Sequence, residues 1–290
     1  MIDQLIVRRG FRLAKHDPAQ TYGFADGDAA RDRLENDIEK LAALQDRFAA
    51  ERRYGIVVVL QGVDAAGKDG TIKHVMRGLN PQGVSVQNFR EPSSEELAHD
   101  YLWRVERAMP DRGRIGVFNR SHYEEVLVTR VQPELLEAEH LPPATIDDRF
   151  WKRRYKQIRR YEHYLVDNGF LVLKFFLHVS REEQARRLLE RIRDPHKHWK
   201  FSATDLEMAK RWDAYADAYE HALNATSTRW APWYAIAADH KWAAHLAIAA
   251  VLVETLERLD PQYPKSSPEQ LARLEEAARE LAGFIEGTPA

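Results

Sequence analysis

Between Gly62 and Thr71 the chain reads Gly-Val-Asp-Ala-Ala-Gly-Lys-Asp-Gly-Thr. Two glycines separated by four residues let a loop turn its backbone N–H groups onto an anion, and a lysine directly after the second adds a point charge. Such a loop grips phosphoryl oxygens, with Gly62, Ala65, Ala66, Gly67, Lys68, Asp69 and Gly70 as its expected contacts. The residue after the lysine is ordinarily a Ser or Thr that ligates magnesium. Here it is Asp69, and a second acid, Asp64, lies inside the loop. A carboxylate beside a polyanion is tolerable when a cation lies between them, which makes Asp64 the expected principal metal ligand and Asp69 a lesser one. The plainer alternatives are a solvated turn residue for Asp64 and, for Asp69, an acid favoured by the dipole of a first helical turn.

A second group of candidates is Gly116-Val-Phe-Asn-Arg-Ser-His-Tyr-Glu-Glu125. A strand ending about fifty residues after the loop lysine usually offers an Asp to the magnesium shell. Asn119 stands there instead, a neutral and weaker ligand that leaves more of the metal's charge to Asp64 and Asp69, or else a capping residue. Arg120 is placed to fork onto phosphate oxygens. Arg130 either reaches the same anion or serves the end of its helix. His122, Tyr123 and Glu124 are weaker nucleotide-binding candidates, as are Arg90 and Arg104 further upstream, and the His122–Tyr123 pair reads as readily as packing. A third group, Arg186 to Lys200, holds Arg187 and Arg191 on one helix face, then Asp194, Lys197 and Lys200. So many cations with few acids read as a lid that closes over transferred phosphates, rather than as a solvated charged helix.

The elements that must position these residues alternate. An apolar run over 55–61 reads as a strand ahead of the loop, with further strands expected over 84–89, 114–118, 170–178 and 233–238. Helices are expected from an Asp28 cap onward, over 70–79, from a Ser93/Glu96 capping box to about Met109, and from a Ser121/Glu124 box. Others are expected over 146–168, after Ser180/Glu183, from a Thr204/Glu207 box to about Leu223, over 240–259, and in a tail starting at Ser267-Pro268. Five strands alternating with helices predict an α/β fold with a parallel sheet covered on both faces. The expected organisation is an N-terminal segment and helix over 1–54, a main domain over 55–259 with the lid at about 181–203, and a linker and helix over 260–290.

The 290-residue chain has no cysteine and a formal net charge of −2. That balance gives no global reason to expect nucleic acid as a partner. No apolar stretch is long enough for a signal peptide or a membrane span, so a soluble, cytoplasmic protein is expected. Trp- and Tyr-bearing surface helices point to a homo-oligomer.

The loop Gly62 to Gly70, Asn119-Arg-Ser-His-Tyr123, Glu190-Arg-Ile-Arg-Asp-Pro195 with Trp199-Lys-Phe-Ser202, and Ala231-Pro-Trp-Tyr234 with Ala238-Asp-His-Lys-Trp242 together resemble the polyphosphate kinase 2 family. The resemblance implies a P-loop kinase-like fold, similar to thymidylate kinase, with a helical lid. It also implies a magnesium-dependent enzyme, with manganese as the alternative ion, that transfers a phosphoryl group between inorganic polyphosphate and a nucleotide. Asp64, Lys68, Asn119 and Arg120 match the family's loop and second motif, and Arg187, Arg191, Asp194, Lys197 and Lys200 its lid. The Asn-Arg-Ser-His-Tyr form looks like the branch that accepts nucleoside monophosphates as well as diphosphates. The rival readings are an ATP-dependent nucleotide kinase of the same fold and an inactive nucleotide-binding module, although no Asn-Lys-x-Asp guanine-reading motif is present.

Overall fold

The computed structural model describes residues 1–142 and 148–286. Five strands, β1 (Gly55–Gln61), β2 (Val84–Asn88), β3 (Ile115–Asn119), β4 (Phe170–His178) and β5 (Trp233–Ala237), form one parallel sheet in the order β2-β3-β1-β4-β5. The described helices are α1 (Ile2–Leu5), α2 (Gly27–Glu51), α3 (Lys68–Val75), α4 (Ser94–Leu97), α5 (Trp103–Arg107), α6 (Glu124–Val131) and α7 (Asp148–Asp167), followed by α8 (Arg181–Arg193), α9 (Ala203–Lys210), α10 (Trp212–Thr226), α11 (Lys241–Leu259) and α12 (Pro268–Glu286). This is the P-loop kinase-like arrangement that the motif order implies.

Strand β1 is buried along its whole length, which is why it reads as a continuous apolar run rather than an alternating one. Ile56, Val58 and Leu60 face a core built with α2, α3 and α11, while Val57 and Val59 face one built with α6, α7 and α10. The connection after β1 leaves toward β2 and the one after β4 leaves toward β5 on the other side. A crevice at their carboxyl ends is where open α/β sheets collect ligands.

Several boundaries differ from expectation for identifiable reasons. Asp26, not Asp28, caps α2 by accepting from the Ala29 N–H. The Ser93/Glu96 capping box is present, but its helix stops after one turn because the Asp100 carboxylate accepts from the Leu102 N–H and turns the chain before α5. Ser121 and Glu124 form no capping box. The Ser121 hydroxyl accepts from the Tyr123 N–H, and the Glu124 carboxylate turns to Arg120. Ser202 with Asp205, not Thr204 with Glu207, makes the box that opens α9, and the expected long helix divides at Arg211. The expected start of α7 near Ile146 lies outside the described residues. The N-terminal segment adds α1 and an antiparallel bridge between Ile6 and Tyr234.

Candidate active site

The loop after β1 carries two glycines that other residues could not replace. Gly67 has φ 111°, and a Cβ on Gly62, at φ 159°, would sit 2.9 Å from the Leu177 carbonyl oxygen. Ala65 and Arg120 adopt the left-handed region without being glycine, at φ 64° and 65°. That conformation costs about 1–2 kcal/mol per residue and concentrates at functional sites.

Lys68 is buried, and its ammonium donates to the carbonyls of Gly62 at 2.6 Å and Val63 at 3.2 Å. Burial, and then the nearby Arg120 guanidinium, bring its pKa down to about 8, with Asp64 opposing them. Asp64 faces Arg120 directly, carboxylate oxygen to Nη2 at 2.5 Å, and Arg120 also reaches Glu124 at 3.2 Å. Three of the expected residues, Asp64, Lys68 and Arg120, are therefore brought together.

Parallel pairing sets Asn88 of β2 opposite Asn119 of β3. The Asn119 amide donates to Asp69 Oδ1 and to Asn88 Oδ1, both at 2.8 Å. Those two acceptors fix the amide's orientation and leave Asn119 Oδ1 buried without a hydrogen-bond partner. Asn88 was not legible as a site residue, because only the strand register reveals it.

The expected lid residues separate into three groups. Lys200 comes within 3.7 Å of Asp69, so it reaches the loop. Lys197 is turned to Glu190 and Asp194, whose side chain also caps the 3-10 turn Pro195–Lys200, and Arg191 lies 3.5 Å from Asp205. Arg187 requires a correction: it is no cation presented to phosphate. Its guanidinium is buried beneath the loop, donating to the carbonyls of Ala65, Ala66, Ala238 and Asp239 and to Glu183. Beside it, the Gln184 amide donates to the Asp64 carbonyl at 3.0 Å. Helix α8 thus supports the loop from behind.

His122 and Tyr123 follow their packing alternative. Both point into the core, where the Tyr123 hydroxyl donates to Glu162 at 2.7 Å and accepts from Lys174 at 2.9 Å, which leaves neither ring available to a nucleotide. Arg104 lies over the Phe89 ring and donates to the Arg90 carbonyl, while the Arg90 side chain is exposed. Arg130 donates to the Tyr155 hydroxyl at 3.2 Å and lies 3.7 Å from Asp217.

Glu125 was not foreseen. It follows Glu124 on α6, its Oε2 is buried without a partner, and Glu139, itself paired with Arg154, lies beside it. Burial, then the Glu139 carboxylate, push its carboxyl up to about 9. The folded chain keeps this proton while the unfolded chain releases it near pH 4.5, so the group costs stability as pH rises from there toward 9. Glu125→Gln, a mimic of the protonated form, should raise Tm at pH 8 and leave it unchanged near pH 4. Thermal unfolding at the two pH values checks this, and equal shifts at both would refute it.

A parallel sheet with a phosphate loop after its central strand, a buried lysine and an acid–arginine pair define a P-loop phosphotransferase of the kinase class. The family model for polyphosphate kinase 2 matches residues 24–264. The chain belongs to the polyphosphate kinase 2 family. It is 47% identical over 249 residues to the ADP-polyphosphate phosphotransferase of Rhodopseudomonas palustris, covering 86% of each chain. It is 46% identical over 256 residues to the AMP/ADP-polyphosphate phosphotransferase of Meiothermus ruber, covering 88% of this chain and 92% of that one. The crystal structure of polyphosphate kinase 2 from Arthrobacter aurescens superposes with a TM-score of 0.87 at 36% identity, covering 96% of both chains.

Proposed function

We propose that this enzyme transfers phosphoryl groups between inorganic polyphosphate and nucleotides, with both nucleoside monophosphates and diphosphates as acceptors. The observation that carries the reading is the convergence of Lys68, the Asp64–Arg120 pair and Lys200 on one loop at the strand ends. The names of the two relatives support the choice of donor and acceptors. Transfer of this kind needs positioning and charge neutralisation more than covalent chemistry. Lys68, held ready by loop carbonyls, compensates charge on the transferred group, and Arg120 orients oxygens across from it.

Magnesium fits the residues present. This ion keeps several waters and binds through one or two carboxylates and substrate phosphates rather than a dedicated protein cage. Asp64 would hold it, with the unpartnered Asn119 Oδ1 as a second contact. When bound, the ion supplies charge neutralisation between phosphoryl oxygens. Asp69 is turned to Asn119 and toward Lys200, a position that supports an orienting role more than a ligating one.

Incubation with polyphosphate or ATP as donor, and with each of AMP, ADP, GMP and GDP as acceptor, tests the reading. Product from ATP alone would transfer the protein to ordinary nucleotide kinases, and no product from either donor would support a binding module. Monophosphate acceptance rests on Asn119. An Asp there would turn a carboxylate on Asp69 and Asn88 Oδ1, and on an incoming monophosphate. Asn119→Asp should lower AMP turnover about tenfold relative to ADP turnover, a discrimination of roughly 1.4 kcal/mol; an unchanged AMP-to-ADP ratio would remove Asn119 from acceptor choice. The exposed Leu274, Leu281 and Ile285 of α12 support an oligomeric assembly.

A further inference from the structure

Helix α7 is two-faced in an unusual way. Its inner face buries Ile158, Tyr161 and Leu165 against the sheet, while its outer face is almost wholly cationic. Arg149, Lys152, Arg153, Lys156, Arg160 and His163 follow one another at steps of three, one, three, four and three residues, and all are exposed. Such spacing lays them along one side of a helix. From Arg149 to His163 the row runs about 21 Å at the helical rise per residue. Beyond Asp148 the helix has two acids. Glu162 is buried against Lys174, and Asp167 lies at the far end, 3.4 Å from His163. Lys152, Lys156 and Arg160 form no ion pair among the described residues.

This row is not a reflection of a basic protein, since the chain's formal net charge is −2. It also has a direction. Helix α7 ends at Asp167 and leads through Gly169 into the start of β4, so its last turn lies at the edge of the sheet opposite the phosphate loop. Its first turns lie toward the loop's edge of the sheet, and Tyr155 there accepts from Arg130, in the last turn of α6. The cationic row therefore starts at the sheet edge that carries the phosphate loop and runs toward the opposite edge.

We propose that the outer face of α7 is a secondary track for the distal units of the polyphosphate donor. This rests on the polyphosphate reading above. A long donor carries a negative charge on every unit, and units beyond the site remain tethered to it. Tethering converts even weak, non-directional contacts into intramolecular ones at high effective concentration, so a row of exposed cations suffices to hold the chain. The same row would meet a free polyanion such as RNA without that advantage, at an affinity that physiological salt weakens.

The test is the combined charge reversal Lys152→Glu, Lys156→Glu and Arg160→Glu, assayed with long-chain polyphosphate and with tripolyphosphate, a donor too short to leave the site. The expected result is a KM for the long chain raised about tenfold at low salt with kcat retained, an unchanged KM for tripolyphosphate, and a difference that shrinks as salt rises. A KM unchanged for the long chain, or raised equally for both donors, would overturn the track. So would loss of single-stranded RNA binding by the variant with its long-chain KM intact, which would give the surface to nucleic acid. If the wild-type protein uses no polyphosphate of any length, the proposed function fails on its own account. Direct binding of long-chain polyphosphate to wild type and variant, measured without nucleotide, then still decides the track. A charge-neutral companion, Lys152→Gln with Lys156→Gln and Arg160→Gln, should show the same pattern at smaller size and guards against misfolding of the reversal.

Discussion

Asp64→Asn should lower kcat by roughly 10³-fold, on the scale seen when a preorganised electrostatic group is lost from an active site. The substitution keeps the side chain's size and its capacity to accept a hydrogen bond, so the loop, built on glycine geometry and the Arg187 contacts, should survive. What is lost is the negative charge that faces Arg120 at 2.5 Å and that would hold magnesium. Steady-state rates across a magnesium titration, with unfolding curves alongside, check the outcome. Turnover within tenfold of wild type would remove Asp64 from the machinery. A collapse of Tm would show that the carboxylate serves the fold rather than the reaction.

The largest effect on stability should come from Lys174→Met. Lys174 lies in the middle of β4 with no exposed surface, and its ammonium donates to Glu162 at 2.7 Å, the Tyr123 hydroxyl at 2.9 Å and the Thr226 carbonyl at 2.9 Å. All three donors are thereby used, and Trp233 donates to the Thr226 hydroxyl at the edge of the same group. Removing the lysine leaves the buried Glu162 carboxylate with the Tyr123 hydroxyl but without its ammonium partner. Breaking one side of a buried ion pair costs about 3–5 kcal/mol, whereas replacing both partners with apolar residues is often neutral. Lys174→Met should therefore destabilise strongly in denaturant unfolding, and the double variant Lys174→Met with Glu162→Leu should recover most of the loss. A single variant as stable as wild type would show that the pair carries no stability.

That buried pair also marks where reading the chain stops. The strand over 170–178 was legible from its apolar run, yet the run hid a lysine, because a strand covered on both faces leaves no polar alternation against which one charge stands out. Glu162 sits on the inner face of an amphipathic helix, and nothing local says that its partner lies across a helix–sheet contact. For His122 and Tyr123 the residues left packing and ligand binding open for the same reason, since the motif that holds Asn119 and Arg120 runs on into the core. The phosphate loop, by contrast, was fully visible, as strand, glycine spacing and lysine are all short-range features. The Ser93/Glu96 box was equally local. Thr204/Glu207 failed because the same stretch contains an overlapping box, Ser202/Asp205, and the pattern alone does not choose between them. Arg187 and Lys200 look alike in a run of cations. Only folding distinguishes the one beneath the loop from the one beside it.

The position of Arg187 limits how the chain beyond it can swing. Its guanidinium joins α8 to four carbonyls, two in the phosphate loop and two just past β5, so the first two turns of that helix are clamped to the rigid sheet. A segment bringing Lys200 down on bound phosphates cannot pivot at Ser180. A hinge for such a motion would have to fall after the clamp, and Asp194-Pro195 is a candidate, where the helical hydrogen bonding ends at a proline. An arm hinged there would be shorter than the basic run from which the lid was read, beginning at the proline rather than at the start of α8.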